Sequence, residues 1–411
     1  MAAQRPICLT TLGTLKRVQT GDTLDLIGYQ LPTSVGAAGY VPYVQAGSSV
    51  LGWASVPKWQ PDASYYLDAS GSDANDGSYE QPWFTFAKVF AALTEKIIVP
   101  GQQVNVAAQP GWYTYSSPQT ISSPYNGALV RIYGSAIHRD ATVSAVSGSS
   151  GSWTITLEVS TTEGLEVGDW FLVPYVGNVV DWHSNTICGL HYVTQIVDST
   201  HVRVHNTSGQ ATGVSVGTGT TAAKFLKTTF DFSECPDRNK LTITAGTTLW
   251  LDDCVLLGTV PGETNFGYAW VNGKLYSSGG LCFAGWEVGA NVVAGGVLDI
   301  QQGGAARCDV AIQASQARLT AFHCAFTGNG RSVVASMSDV QTNESIYVGC
   351  PTYGLSLSSC RAQCGGALFQ GNAFQALRAD NQSTCDASSA YFAYNGVGAA
   401  ASLLSSIRVT N

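Results

Sequence analysis

The sequence predicts an all-β protein built on a right-handed parallel β-helix, a solenoid with coils of about 21 residues. Three observations predict it. Only 12% of the 411 residues are charged and 45 are Gly, a balance that suits many short strands joined by turns better than packed helices. Strand-like apolar runs recur between Gly, Asn, Asp and Ser clusters along most of the chain. After residue 240 the sequence repeats. Lines begun at Leu275, Gly296, Ala317, Ser338, Cys360 and Asn381 have lengths of 21, 21, 21, 22 and 21 residues.

Written this way, the cysteines fall into columns. Cys282 and Cys324 share the eighth place, and Cys254 joins them when the preceding line starts at Thr247. Cys308 and Cys350 share the thirteenth place, Cys364 and Cys385 the fifth. Short motifs recur as well: "FTGN" at Phe326, "FQGN" at Phe369 and "FAYNG" at Phe392. A coil cannot bury its apolar face alone, so coils stack and like residues form ladders about 4.8 Å apart. Cys is a small buried hydrophobe and suits such a ladder. A leucine-rich repeat shares the period, but no L-x-x-L-x-L consensus is present.

The other elements follow in chain order. Residues 1–60 alternate short apolar runs with Gly, Pro and Ser and read as a small N-terminal module or arm. Residues 61–140 open the β-helix. "YYLDAS" is a strand, and "SGSDANDGS" is turn chemistry, because Asn, Asp and Gly accept left-handed conformations and bond their own backbone. A helix is predicted over 82–96, with Pro82 in its first turn and Phe86, Val89, Phe90, Leu93 and Ile97 on one stripe. An open solenoid end exposes strand edges, and this helix would cap it. Residues 141–228 alternate apolar and polar residues between Gly-rich turns, which predicts an inserted small antiparallel β subdomain. Residues 229–411 are the coils and the C-terminal end.

Several functions are disfavoured. A net charge of −8 without any basic run argues against nucleic acid. No stretch of about 18 apolar residues is present, so membrane insertion is not expected. The first residues lack the apolar region of a signal peptide, and eleven Cys without CxxC pairs read as reduced thiols of a protein assembled in a cytoplasm. No cofactor is expected and no metal site is assigned. Asp68, Asp73, Asn75 and Asp76 form a calcium alternative, but their spacing departs from the EF-hand loop. His201 and His205 lie about 13 Å apart on a strand, too far to share a metal.

The stretch "YLDASGSDANDGSYEQPWFTFAKVFAAL" resembles the opening segment of pectate-lyase-like β-helices in bacteriophage tailspikes and tail fibres. The runs "EGLEVGDWFLV" and "GLHYVTQIVDSTHVRV" are similar to a β module of phage tail proteins, and "GAAGYVPYVQAGSSVLGWASV" to Gly-rich stretches ahead of phage fibre domains. The resemblance spans about residues 30–395. It implies a homotrimer in the virion tail, attached to other tail proteins through the N-terminal module and assembled in the host cytoplasm. It also implies contact with host surface glycan, which some members cut and others only bind. No catalytic motif carries over residue by residue.

Glycan cleavage on a β-helix needs two carboxylates, about 5–5.5 Å apart in retaining and about 6.5–9.5 Å apart in inverting hydrolases. The candidate catalytic acids are Glu287, Asp309, Asp252 and Asp253, since Glu287 and Asp309 could lie side by side on successive coils. Sugar rings stack on aromatic faces through their apolar C–H faces. Trp250, Tyr268, Trp270, Tyr276 and Trp286 cluster in the early coils and are the candidate glycan contacts. The reading favours a structural and adhesive fibre or spike; a glycan depolymerase, hydrolase or lyase, is the alternative.

Overall fold

The computed structural model describes residues 7–9, 15–17, 40–44, 51–55, 65–94, 103–122, 129–148, 154–173, 188–205, 221–260 and 263–410. Its body is a parallel β-helix of three sheets. Sheet I has eleven strands, sheets II and III nine each. One coil runs Thr248–Asp252 in sheet I, Cys254–Leu257 in sheet II and Tyr268–Val271 in sheet III, then returns to sheet I at Lys274–Ser277. Among the described residues of 1–60 are two antiparallel pairs, Ile7–Leu9 with Leu15–Arg17 and Tyr40–Val44 with Leu51–Ser55.

The interior is a set of ladders, because alternate side chains of each strand point inward and successive coils keep register. On sheet I the inward column runs Val104, Val130, Leu249, Leu275, Leu298, Leu319, Val340, Ala362, Cys385, Ile407. On sheet II an aromatic column runs Phe326, Tyr347, Phe369, Phe392, with ring centroids 5.3, 4.6 and 5.0 Å apart. The recurring "F-x-G-N" motif now has a physical meaning. The aromatic ring points inward, the Gly turns the II–III corner in the left-handed region (φ 59° at Gly328, 62° at Gly371), and the Asn closes it. Asn372 is fully buried; its Oδ1 accepts from the Cys350 N–H at 3.2 Å and its Nδ2 donates to the Tyr347 carbonyl at 3.2 Å. Cys308 and Cys350 occupy the same corner column as Asn329 and Asn372: the N–H of Cys308 donates to Asn329 Oδ1 at 2.9 Å.

The column of Cys254, Cys282 and Cys324 does not exist as read. Cys282 pairs with Gly304 and Gly304 with Ala325, so two coils take 43 residues here instead of 42. A one-residue slip turns a side chain to the opposite face of a sheet. Cys254 and Cys324 therefore point into the solenoid while Cys282 points out. Cys364 and Cys385 are likewise not in one column, since Cys385 pairs with Ala362. They are diagonal neighbours with sulfurs 3.5 Å apart.

Strands of sheet I such as Val297–Gln301 and Arg318–Phe322 bury every second residue, whereas Cys254–Leu257, Leu281–Ala284 and Ile346–Val348 of sheet II are buried throughout. The cause is the insertion. Between Leu129–Tyr133 of sheet I and Thr228–Asp231 of sheet II the chain forms a closed antiparallel barrel, strands Ala136–Ser147, Thr154–Val159, Trp170–Val173, Gly189–Ile196, His201–His205 and Thr221–Leu226. Barrel residues Phe171, Val193 and Phe225 share one apolar cluster with Ile346, Val348 and Leu368 of sheet II. A second cluster joins Trp170, Leu190 and Leu226 to Val255, Leu257 and Ala284. The barrel thus covers the outer face of sheet II, and a sheet covered on both faces is apolar on both.

The N-terminal solenoid end is closed by the opening segment. The helix is Phe86–Thr94, starting four residues later than the sequence suggests. Residues 82–85 still belong to the turn: Trp83 bridges Leu67, and its indole N–H donates to the Asn75 carbonyl at 2.8 Å. Residues 95–96 lie outside the described residues. Phe86, Val89, Phe90 and Leu93 are buried against the first coils, with Phe86 4.3 Å from the Phe230 ring. The helix N-cap is Thr85, whose hydroxyl oxygen accepts from the Lys88 N–H at 3.1 Å, and the Asp73 carboxylate holds the turn before it, accepting from the N–H groups of Phe84 (3.1 Å) and Thr85 (2.9 Å) and the Thr85 hydroxyl (2.6 Å). The hydrogen bonds of an exposed turn carboxylate contribute about 1 kcal/mol in net. Asp73→Ala is expected to lower unfolding stability by that amount, read from the urea midpoint; an unchanged midpoint would mean that the turn holds without its carboxylate. No helix among the described residues is long and apolar enough to cross a membrane.

Candidate functional site

Sheet I is flanked by the barrel but not covered by it, and its outward side chains form the most chemically varied strip of the solenoid. One outward column reads Arg131, Trp250, Tyr276, Asp299, Thr320, Gln341, Gln363. Alternation along each strand puts these side chains on one face, and the coil spacing sets them about 4.8 Å apart. The rings of Trp250 and Tyr276 lie 5.7 Å apart, and the Arg131 guanidinium sits 5.4 Å over Trp250. Along one edge runs a second column of exposed charges, Arg318, Asp339 and Arg361.

Asp299 stands in the middle of the strip. It is partly buried, and its Oδ1 has no hydrogen-bond partner among the described residues; the same holds for Trp250 Nε1 and Thr320 Oγ1. Burial raises the Asp299 carboxyl above the ordinary carboxylate range, and nearby Arg318 pulls it the other way. The alternation in "VLDIQ" places Asp299 outward, but the sequence reading did not single it out.

At the I–II corner, beside the barrel, the strip ends in a cavity of about 450 Å³. Asp252 and Asp253 are here and nearly fully buried. Asp252 accepts from Arg131 at 2.6 Å, from the N–H groups of Ser278 and Gly279 at 2.8 and 3.1 Å, and from the Ser277 hydroxyl at 3.1 Å. Asp253, in the left-handed region (φ 52°), meets Lys224 of the barrel at 2.9 Å. Two carboxylates each bound to a cation hold the corner together.

Glu287 and Asp309 occupy the same place on successive coils, since Val288 pairs with Val310. They belong to a different surface, the II–III corner. Glu287 is ion-paired with Arg238, whose Nε donates to it at 3.2 Å, and Asp309 accepts from Asn265 Nδ2 at 2.9 Å. The bond to Glu287 raises the Arg238 guanidinium further above its ordinary value.

The five aromatic candidates separate in the same way. Trp250 and Tyr276 are on sheet I. Tyr268 and Trp270 are on sheet III, 5.8 Å apart. Trp286 is wholly buried, its Nε1 donating to the Leu256 carbonyl at 2.8 Å, and cannot meet a ligand. The acids of the opening turn are engaged locally: Asp68 accepts from Ser70 N at 2.7 Å, Asp76 from Ser78 N at 2.9 Å, and Asn75 Nδ2 donates to Pro82 O at 2.9 Å. With Asp73 on the turn before the helix, the four side chains serve five separate backbone groups and do not converge on one point.

No protein-family model matches the chain, and no curated protein matches it in sequence. Solved structures with a similar overall course include a rhamnogalacturonan lyase, 10% identical over 79% of this chain and 74% of that one, with a TM-score of 0.40. A glycoside hydrolase is 11% identical over 84% and 96%, with a TM-score of 0.32. The Gp54 tailspike of Acinetobacter baumannii bacteriophage AP22, in complex with A. baumannii capsular saccharide, is 10% identical over 75% and 61%, with a TM-score of 0.27. The residues of the site are therefore read from this chain alone.

Proposed function

We propose that this chain is a structural protein of a phage tail, a fibre or spike, that binds host surface glycan along the outer face of sheet I. The observation that carries the binding half is the single strip in which aromatic faces, a carboxyl, a hydroxyl and amides alternate at coil spacing. Apolar sugar faces stack on Trp250 and Tyr276, and sugar hydroxyls bond to Asp299, Gln341 and Gln363. Support for the tail half comes from the opening unit, 65–94, where strand, Asp-rich turn and capping helix follow in the order its resemblance implies. In this reading the protein is a homotrimer attached through residues 1–60. The test is binding of extracted host surface polysaccharide by isothermal calorimetry. Wild type binds, the double variant Trp250→Ala, Tyr276→Ala loses at least tenfold, and Trp270→Ala on sheet III does not; equal binding by all three would move the site off sheet I.

One observation favours a second reading, depolymerase activity: the raised carboxyl of Asp299. A carboxyl that keeps its proton to higher pH can protonate a glycosidic oxygen. Asp339 lies on the same face two coils on and two places along, roughly 12 Å away between backbones by strand spacing. Two measurements on Asp299→Asn separate the readings. If Asp299 is the acid, release of reducing ends from the polysaccharide disappears while binding stays. If Asp299 only binds, no reducing ends appear even with wild type.

Asp299 also makes stability depend on pH. Its folded value lies above its unfolded one of about 4, so the folded state binds the proton more tightly. Stability therefore falls as pH rises from about 4 through the raised folded value, and the loss persists at neutral pH. Asp299→Asn removes this loss. The variant is expected to have a higher urea midpoint than wild type at pH 7, with the difference shrinking towards pH 4; a constant difference would contradict the shift.

A further inference from the structure

We propose that the cavity at the I–II corner is a pocket for one uncharged sugar unit, a branch or terminal residue of the bound glycan, and that the barrel is inserted where it is in order to wall it. This rests on the glycan-binding reading and adds the chemical class of the unit that enters. The cavity, about 450 Å³, is lined by Arg131, Tyr133, Asp252, Asp253 and Gln302 of the solenoid and by Lys224 of the barrel. Its size lies within the usual range of small-molecule pockets, about 300–1,000 Å³.

The lining explains the selectivity. Two cations and two carboxylates face the space in matched pairs, Arg131 with Asp252 and Lys224 with Asp253, so the net charge is zero. Asp252, Asp253 and Lys224 are 3%, 4% and 8% exposed. A sugar carboxylate or ammonium group would leave one of these buried charges uncompensated. A polyol disturbs neither pair, because its hydroxyls accept from cations and donate to carboxylates in turn. Arg131 gives Asp252 two of the five N–H donors of a guanidinium. Tyr133, 37% exposed at the rim, offers a ring face for stacking.

The pocket is continuous with the strip. Asp252 follows Trp250 by two residues in the strand Thr248–Asp252 and so lies on the same face, and Ser278, just past the strand of Tyr276, donates its N–H to Asp252 at 2.8 Å. A glycan laid over the two rings can place a side unit in the cavity. Lys224 forms the opposite wall and comes from the barrel strand Thr221–Leu226, so without the barrel the cavity has no closure on that side.

Gly279 gives a direct test. A Cβ built there meets only Lys224 Nζ, at 3.8 Å, so a side chain begins without a clash at the cavity wall. Saturation-transfer NMR on the full chain would use the methyl glycosides of glucose, galactose, N-acetylglucosamine and N-acetylgalactosamine against those of glucuronate and galacturonate. At least one neutral glycoside should show transfer exceeding both uronates, reduced at least tenfold by Gly279→Phe and by the surface change Tyr133→Ala, and retained in Trp270→Ala. Stronger uronate transfer, no neutral transfer, or neutral transfer indifferent to both pocket variants would overturn the pocket. The glycan reading fails separately, when extracted polysaccharide shows no dependence on Trp250 and Tyr276. Tyr133→Ala keeps the test decisive if Gly279→Phe does not fold.

Discussion

Replacing Phe369 with Ala is expected to destabilise the protein by about 3–5 kcal/mol, the range for an aromatic side chain removed from a packed core. The ring is wholly buried and stacked on both sides, 4.6 Å from Tyr347 at 5° and 5.0 Å from Phe392 at 4°. Each such pair contributes about 0.5–1.5 kcal/mol beyond its buried area. The cavity cannot collapse, since the neighbouring rings are held at coil spacing by their own strands. Phe392→Ala should cost less, because this ring is only partly buried and stacks on Phe369 alone among the described pairs. Solenoid stability is a sum of coil and interface terms, so the loss should concentrate in the coils around Phe369. Amide exchange would show this as protection lost in 346–393 before 248–300. A uniform loss along the chain would mean that the solenoid unfolds as one unit.

The same column shows why the fold was legible in the sequence and the site was only partly so. Phe326, Phe369 and Phe392 carry one motif because identical corners impose identical demands: an inward ring, a left-handed residue and a side-chain amide that bonds the next coil. Those demands are local, so they appear in the sequence. The direction of a side chain depends instead on the lengths of all the corners before it. One additional residue near Ser278–Gly280 sends Cys282 outward when Cys324 faces in. For the same reason the aromatic cluster of the early coils could not be assigned by spacing: Trp250 and Tyr276 reach one face, Tyr268 and Trp270 another, and Trp286 the core. Alternation in "VLDIQ" was enough to turn Asp299 outward. Its importance came from burial and from Arg318, one coil away, which the sequence does not display. Lys224 was beyond reach of any local pattern, because its partner Asp253 belongs to the solenoid and meets it only once the barrel is seated.

Asp252→Ala is expected to lower stability by about 3 kcal/mol, which separates this acid from Asp299. Breaking a buried ion pair by removing one partner costs about 3–5 kcal/mol, and the low end applies because Arg131 is 35% exposed while Asp252 is 4% exposed. The carboxylate also accepts from the N–H groups of Ser278 and Gly279, which shape the next corner and would lose a buried acceptor. Asp252→Asn keeps the shape and one acceptor oxygen, so it should recover a large part of the loss. Urea unfolding of the two variants gives the comparison, and the Asp299→Asn variant supplies the contrast. Asp252→Ala should bind glycan poorly both through its unfolding and through the carboxylate lost from the cavity lining, whereas Asp299→Asn should stay folded and change only what the carboxyl does. If Asp252→Ala proved as stable as wild type, the four contacts of the corner carboxylate would not be closing a coil, and its place in the cavity lining would be its only role.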